Sequence, residues 1–185
     1  MTDSHSSGGP FGRDRPDLSG PDPGLVFGRL FDSHAAALRY YLVRRVGETA
    51  ADDLVSETFL VALNQRHRYD PARAAVRSWL YGIATNLMRR HVRDEVRELK
   101  AYSADIPVVS HAGRVAEQVD AQTKARQLAG ALAALSPGDR DVLLLTAWAG
   151  FDTTEVAEAL DIPVGTVRSR MHRVRKQLRK GGSHD

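Results

Sequence analysis

The basic residues of the segment 164–180 are the group whose type and spacing most directly indicate a chemistry. No acidic residue interrupts its cations, which are Arg168, Arg170, Arg173, Arg175, Lys176, Arg179 and Lys180. Guanidinium and ammonium groups spaced along one helix suit the phosphates of nucleic acid. The segment therefore predicts a helix that binds DNA rather than an active site.

Helical projection divides this segment into a polar and an apolar face. At about 3.6 residues per turn, the apolar face consists of Val167, Met171, Val174 and Leu178. The N-terminal part of a recognition helix contacts base edges in the major groove, and residues further along hold phosphates. The candidate base-contacting residues are Arg168, Ser169, His172 and Arg173, and Thr166 and Lys176 are further candidate DNA-binding residues of this helix. Those expected on phosphates are Arg175, Arg179 and Lys180.

The residues before this helix predict a shorter helix that packs beside it. Asp152 and Glu155 have the spacing of a capping box, so the shorter helix should begin near Thr153. The sequence Leu160-Asp-Ile-Pro163 should end it sharply. Together the two helices predict a helix-turn-helix, and the alternative is a helical hairpin whose basic face is merely solvated.

The rest of the chain predicts an all-α protein of two small helical domains joined by a flexible linker. A disordered tail is expected over residues 1–24, the first domain over 25–100, the linker over 101–113, the second domain over 114–180 and a short tail over 181–185. Apolar spacing places the upstream helices at 25–46, 50–63, about 72–100, 114–135 and 139–150, and Ser136-Pro-Gly138 should end the fourth of them. The third of these should carry Trp79, Leu80, Ile83, Leu87 and Val92 inward.

Composition argues against several other classes of protein. The chain has 185 residues, no cysteine and a net charge of +3, and its pI is near 9.4. Disulfides and thiolate metal sites are therefore excluded, and the scattered histidines have no metal-binding spacing. No catalytic motif or cofactor is expected. Since no apolar run approaches the roughly 20 residues that span a bilayer, a cytoplasmic protein without membrane insertion is expected.

Several segments, in order along the chain, resemble one family. In the first domain they are Ala51-Asp-Asp-Leu-Val-Ser-Glu-Thr-Phe-Leu-Val-Ala-Leu63 and Arg77-Ser-Trp-Leu-Tyr-Gly-Ile-Ala-Thr-Asn-Leu87. In the second they are Ala131-Leu-Ala-Ala-Leu-Ser-Pro137, Asp141-Val-Leu-Leu-Leu145, Glu155-Val-Ala-Glu-Ala-Leu160 and Val164-Gly-Thr-Val-Arg-Ser-Arg170. The chain is similar to bacterial RNA polymerase sigma factors of the extracytoplasmic-function group, in the sigma-70 family. That group keeps two sigma domains, region 2 and region 4.

The resemblance implies a role for each domain. Region 2 would dock on the clamp helices of the largest polymerase subunit through its second helix, and the residues carried over are Asp52, Asp53, Ser56 and Glu57. It would also read and melt the minus-10 element through Asn86, Trp79, Arg77, Arg89, Arg90 and Arg93. Region 4 would place the basic helix on the minus-35 element. Promoter DNA, core RNA polymerase and an anti-sigma factor are the implied partners.

Two positions depart from the family's pattern, and one alternative function stays open. Arg90 stands where the family usually has an acid, and His172 stands where an aromatic is common. Promoter preference is therefore expected to differ from the norm. The alternative is a stand-alone helix-turn-helix regulator that binds duplex DNA without polymerase, for which an acidic docking helix would have no use.

Overall fold

The helices account for all the regular secondary structure of the described residues. The structure is a computed structural model and describes residues 15–18, 20–102 and 130–181. Its longer helices are α1 (Pro23–Val46), α2 (Glu48–Asn64), α3 (Val76–Tyr102), α4 (Pro137–Trp148), α5 (Thr153–Leu160) and α6 (Val164–Gly181). A single 3-10 turn, Arg66–Arg68, follows α2. The all-α prediction is confirmed for this part of the chain.

The chain forms two compact units. One comprises the residues up to Leu87 together with Glu158–Asp161, and the other comprises Met88–Ala157 and the residues from Ile162 onward. The predicted linker, 101–113, and most of the predicted helix 114–135 lie outside the described residues. Among the described residues of these two ranges, 101–102 belong to α3 and 130–133 are helical.

Some of the described residues before position 25, where a disordered tail is predicted, make defined contacts. Leu18 is only 2% exposed, and Arg15 donates a hydrogen bond to the backbone carbonyl of Pro71. Asp22 caps α1 by accepting a hydrogen bond from the backbone N–H of Leu25 at 3.0 Å. Since Pro23 stands in the first turn, where its missing N–H is not needed, the last part of the predicted tail opens the first helix instead.

The core of the first unit is formed where α1, α2 and α3 meet. α1 packs along α2, where the rings of Phe31 and Phe59 lie 4.9 Å apart. α1 meets α3 through Tyr41 and Tyr81, whose ring centroids are 5.3 Å apart. Burial raises the pKa of Tyr81 to about 12, although the nearby Arg77 guanidinium opposes the shift.

α3 begins four residues after the predicted start near Ala72. The backbone carbonyl of Asp70 accepts hydrogen bonds from the N–H groups of Arg73 and Ala74, and its side chain accepts one from Ala72 at 2.8 Å. These bonds hold a turn before the helix, because a short acidic side chain competes with helical pairing. α3 therefore starts at Val76.

α4 packs against α6 in the second unit, and its start differs from the prediction. Ser136-Pro-Gly138 was expected only to end the preceding helix. Instead, the Ser136 hydroxyl accepts a hydrogen bond from the backbone N–H of Asp139 at 3.2 Å, and Pro137 opens α4. Serine followed by proline is a strong helix start, because the cap satisfies a free N–H and proline lacks one.

The predicted capping box and turn of the helix-turn-helix are confirmed. Asp152 accepts hydrogen bonds from the N–H groups of Thr154 and Glu155, and Glu155 accepts one from the N–H of Asp152 at 2.9 Å. The turn ends α5 with Asp161 at φ 50° and a hydrogen bond from Ile162 N–H to the Ala157 carbonyl. This is a left-handed helix cap made by an aspartate rather than a glycine.

The prediction that Val92 points inward is wrong, since its side chain is 40% exposed. It lies in the stretch of α3 that is dense in charged residues, and its neighbours Arg93 and Glu95 are exposed as well.

Among the described helices, none is long and apolar enough to cross a bilayer.

Candidate nucleic-acid interface

The polar face of α6 is exposed as the helical projection predicted. Arg168, Ser169, His172 and Lys176 are exposed, whereas Val167 and Val174 are buried. Thr166 is half-buried, and its backbone carbonyl accepts a hydrogen bond from the Ser169 hydroxyl at 3.0 Å. The exposed side chains of this face are basic or polar, so it can approach the negative surface of DNA.

Arg173 differs from the other predicted readers because it has a partner within the protein. Its Nη2 lies 2.8 Å from Oδ1 of Asp139, and its Nε lies 3.3 Å from Oδ2 of the same carboxylate. These hydrogen bonds hold the pKa of Asp139 below its usual value, although burial opposes them. The same pair raises the pKa of Arg173.

Arg170 is held at the same end of α4. A Cβ added at Gly138 would lie 2.8 Å from its Nη1 and 3.0 Å from its Cζ. A larger residue at position 138 would therefore require this guanidinium to shift, and the Arg170 side chain is half-buried. Arg170 also helps to lower the pKa of Asp139. We interpret Arg170 as a packing residue rather than a DNA ligand.

The predicted melting residues of α3 fall into two groups. Trp79, Asn86, Arg90 and Arg93 follow one another at helical spacing and define a stripe along one face. Asn86, Arg90 and Arg93 are exposed, and Trp79 is half-buried. The stripe thus combines an aromatic ring, an amide and two cations, which are the groups that bind an unpaired DNA strand.

Arg77 is not brought together with this stripe. It lies nine positions before Asn86, which corresponds to the opposite side of a helix. Its Cζ lies 5.6 Å from the centroid of the Tyr81 ring, in cation–π geometry. Arg89 is half-buried and lies beside the stripe rather than on it.

The loop before α3 contributes one ring to the surroundings of Trp79. The rings of Tyr69 and Trp79 lie 5.1 Å apart, and the Tyr69 hydroxyl donates a hydrogen bond to the Ala74 carbonyl at 3.1 Å. Tyr69 is buried, so it supports the loop and Trp79 rather than offering a free stacking surface. Trp79 keeps part of its surface accessible.

The four predicted docking residues of α2 are all exposed, but they differ in their partners. Asp52 is paired with Arg39 of α1, whose Nε lies 2.5 Å from Oδ1, and this bond lowers the pKa of Asp52. The Ser56 hydroxyl donates to the Asp52 backbone carbonyl at 3.1 Å. Within the described parts of the chain, Asp53 and Glu57 have no ion pair. They lie one turn apart and lead to Leu60, an apolar side chain that is 58% exposed.

Asp139, Arg39 and Asp141 are partners of predicted site residues that the sequence did not single out. The carboxylate of Asp141 accepts a hydrogen bond from Arg89 Nε at 2.6 Å. Asp139 is separated from Arg173 by 34 positions, and Arg39 from Asp52 by 13. A pair of residues so far apart in the sequence cannot be found from helical spacing, because it depends on how two helices pack. The available signal was weak: an acid in the first turn after a serine cap.

Comparison with known families finds a match in each half of the chain. The family described as "Sigma-70 region 2" matches residues 30–98, and "Sigma-70, region 4" matches residues 125–178. The first match contains α2 and the Asn86 stripe, and the second contains the helix-turn-helix. The matches therefore follow the order that the sequence motifs predicted.

Full-length relatives extend these matches across both units. The RNA polymerase sigma factor CnrH of Cupriavidus metallidurans is 34% identical over 163 residues, which cover 83% of this chain and 84% of CnrH. The ECF RNA polymerase sigma factor SigL of Mycobacterium tuberculosis is 32% identical over 154 residues, which cover 81% of this chain and 85% of SigL.

Solved structures show the same fold. The structure of CnrH in complex with the cytosolic domain of CnrY has a TM-score of 0.61 and 28% identity, covering 91% of this chain and 96% of CnrH. The sigma factor RpoE of Bartonella quintana, solved with the anti-sigma factor NepR, has a TM-score of 0.60 and 24% identity, covering 86% and 98%. The chain therefore belongs to the extracytoplasmic-function group of the sigma-70 family, as an alternative sigma factor that binds core RNA polymerase and directs promoter-specific transcription initiation.

Proposed function

We propose that three separate surfaces of this sigma factor divide the work of initiation. The acidic face of α2, Asp52, Asp53, Ser56 and Glu57, docks on core polymerase. The stripe of α3 around Asn86 captures the opened minus-10 strand. The polar face of α6, with Thr166, Arg168, Ser169, His172, Arg173 and Lys176, reads the minus-35 duplex.

The distribution of charge is the observation that carries this proposal. The exposed face of α2 is acidic, whereas the exposed face of α6 is basic and polar. DNA repels the first and attracts the second, so one chain offers a surface for a basic protein and a surface for a duplex. Arg89 lies beside the Asn86 stripe, and we assign it to a backbone contact there. Arg77 lies on the opposite side of α3, over the Tyr81 ring, so we leave it out of this surface.

The proposal extends to organisation, chemistry and location. Region 2 would occupy residues 25–100 and region 4 residues 114–180, joined by 101–113. The protein would act in the cytoplasm and supply no catalytic group, since polymerase makes the phosphodiester bonds. Because the related CnrH was solved bound to the cytosolic domain of CnrY, we also propose an anti-sigma partner.

Transcription with purified core enzyme tests the function as a whole. We expect the protein to join core polymerase and to start transcripts at a small set of sites on genomic fragments. Mapping the 5′ ends then gives the promoter sequence. A protein that binds duplex DNA tightly by itself, but neither joins nor redirects core polymerase, would contradict the proposal.

The acidic docking face predicts a charge-dependent affinity for core polymerase. Replacing Asp53 by Asn together with Glu57 by Gln should weaken binding about 3- to 10-fold, chiefly by slowing association at low salt. The matched control is Glu48→Gln, which removes an exposed charge from the opposite side of α2. Asp52→Asn should have a smaller effect, because Arg39 already engages that carboxylate. Titration of core polymerase with labelled protein at two salt concentrations measures the affinity of each variant and its dependence on salt. If Glu48→Gln lowers the affinity as much as the double variant does, the result would count against this face.

A further inference from the structure

The pairing of Asp139 with Arg173 links the first turn of α4 to the edge of the polar face of α6. We propose that Asp139 is a positioning residue, which holds the Arg173 guanidinium so that its outer edge reads a guanine of the minus-35 element. This inference rests on the proposed function of α6 and adds a determinant of its sequence preference.

The geometry of the pair leaves one edge of the guanidinium for a second partner. Asp139 takes the Nε–H and one N–H of Nη2, at 3.3 and 2.8 Å. A guanidinium has five N–H donors, so both donors of Nη1 and one of Nη2 remain, and one donor from each nitrogen lies on the adjacent edge. Two parallel donors on that edge match the O6 and N7 acceptors of guanine, the commonest specific arginine contact with DNA.

Asp139 is buried and Arg173 is exposed, as expected if the carboxylate positions the arginine. The Asp139 side chain is 9% exposed, whereas that of Arg173 is 56% exposed. The carboxylate is therefore fixed inside the unit, and the arginine extends from it toward solvent. A long side chain that is held before binding loses less conformational freedom when it meets a base.

The surroundings of Asp139 keep its carboxylate in one place. Its backbone N–H donates to the Ser136 hydroxyl at 3.2 Å, which anchors the first turn of α4. Arg170 fits against Gly138 on the same turn and leaves Arg173 as the exposed partner. Of Arg170 and Arg173, Arg173 is therefore the more accessible to a ligand.

Neutralising Asp139 distinguishes positioning from simple charge repulsion by the sign of the effect. A carboxylate that only weakened DNA binding would, once removed, increase transcription from every promoter sequence, because one negative charge less faces the phosphates. A carboxylate that positions Arg173 would, once removed, reduce the preference for guanine at one position. The two effects can be read from the same measurement.

The experiment uses holoenzyme made from the full chain and core polymerase, with a template library randomised through the minus-35 element of a mapped promoter. Sequencing the transcripts gives the base preference at each position. We expect Arg173→Ala to reduce one guanine preference about 5- to 150-fold. Asp139→Asn should reduce the preference at the same position about 2- to 10-fold, and Asp139→Glu should restore part of it.

The control is Asp152→Asn, which also removes one negative charge from this unit, but from a carboxylate that caps α5 and does not pair with Arg173. It should leave the base preference unchanged. The inference is overturned if Asp139→Asn keeps the wild-type preference, if it raises transcription equally on all sequences, or if Arg173→Ala changes no position. If Arg168→Ala or His172→Ala still alters the minus-35 preference, those results contradict only the role of Asp139 and not the proposed function of α6. Failure of the wild-type protein to transcribe any template would instead contradict the proposed function.

Discussion

Replacing Arg140 with leucine is expected to lower the free energy of unfolding of the second unit by about 2 to 4 kcal/mol. Its Nε donates to the Leu132 carbonyl at 3.0 Å, and its Nη2 donates to the carbonyls of Ala133 and Leu135 at 2.8 and 3.3 Å. These carbonyls lie at and just after the end of a helical segment, where the regular helical pairing stops. The Leu132 carbonyl also accepts a hydrogen bond from the Leu135 N–H at 3.3 Å. Leucine would remove three charge-assisted hydrogen bonds at once.

Urea unfolding followed by Trp148 fluorescence in a Trp79→Phe background measures this effect, because Trp148 lies at the end of α4. Arg140→Lys should fall between wild type and leucine, since an ammonium cannot reach three carbonyls with a planar fork. The matched control is Arg175→Leu, an exposed arginine of α6 that should change stability by at most about 0.5 kcal/mol. If Arg140→Leu unfolds at the wild-type urea concentration, the three bonds contribute nothing to the unit.

The helices were predictable wherever the signal is local. The capping box of Asp152 and Glu155, the turn before Pro163 and the apolar stripe of Val167 and Val174 depend on neighbours a few residues away. The start of α4 was predictable in the same way, but Ser136-Pro137 was interpreted as an end. Serine before proline can follow one helix and cap the next, and the cap is the stronger of the two signals.

Contacts between distant segments could not be predicted from the sequence. Nothing in the spacing of Arg140 shows that it reaches back to Leu132, or that Asp139 meets Arg173. Both contacts arise because α4, α6 and the residues before α4 pack together, and side-chain direction is settled only then. The sequence assigned Arg173 to DNA from its place on the helix; the structure adds the partner that controls how it is presented.

The same reasoning explains why the predicted melting residues separate into groups. Arg77 and Asn86 belong to one motif in the sequence, but they are nine residues apart and therefore lie on opposite sides of α3. Arg77 lies over the Tyr81 ring, and Tyr41 packs against that ring from α1. A motif read along the chain groups residues by position, whereas DNA meets only those that share a surface.

Replacing Asn86 with alanine should impair promoter opening more than promoter binding. Asn86 is exposed on the stripe that contains Trp79, Arg90 and Arg93, so its amide can donate to and accept from the edge of an unpaired base. Such bonds exist only after the strand has left the duplex. Removing them should therefore reduce the amount of open complex about 10-fold, or up to about 100-fold if two bonds are lost. The closed complex keeps its contacts through α6.

Permanganate footprinting of unpaired thymines in the minus-10 element measures opening, and a mobility shift of holoenzyme on duplex promoter measures binding. The matched control is Asn64→Ala, which removes an exposed asparagine at the end of α2 without touching the α3 stripe. A template with a pre-melted mismatch bubble at the minus-10 element adds a second discrimination. Because the bubble removes the cost of unpairing but not the lost base contact, transcription by the Asn86→Ala holoenzyme should recover only in part. Full recovery on the bubble would mean that Asn86 acts in strand separation and not in holding a base. An unchanged permanganate pattern on duplex promoter would remove Asn86 from the melting surface altogether.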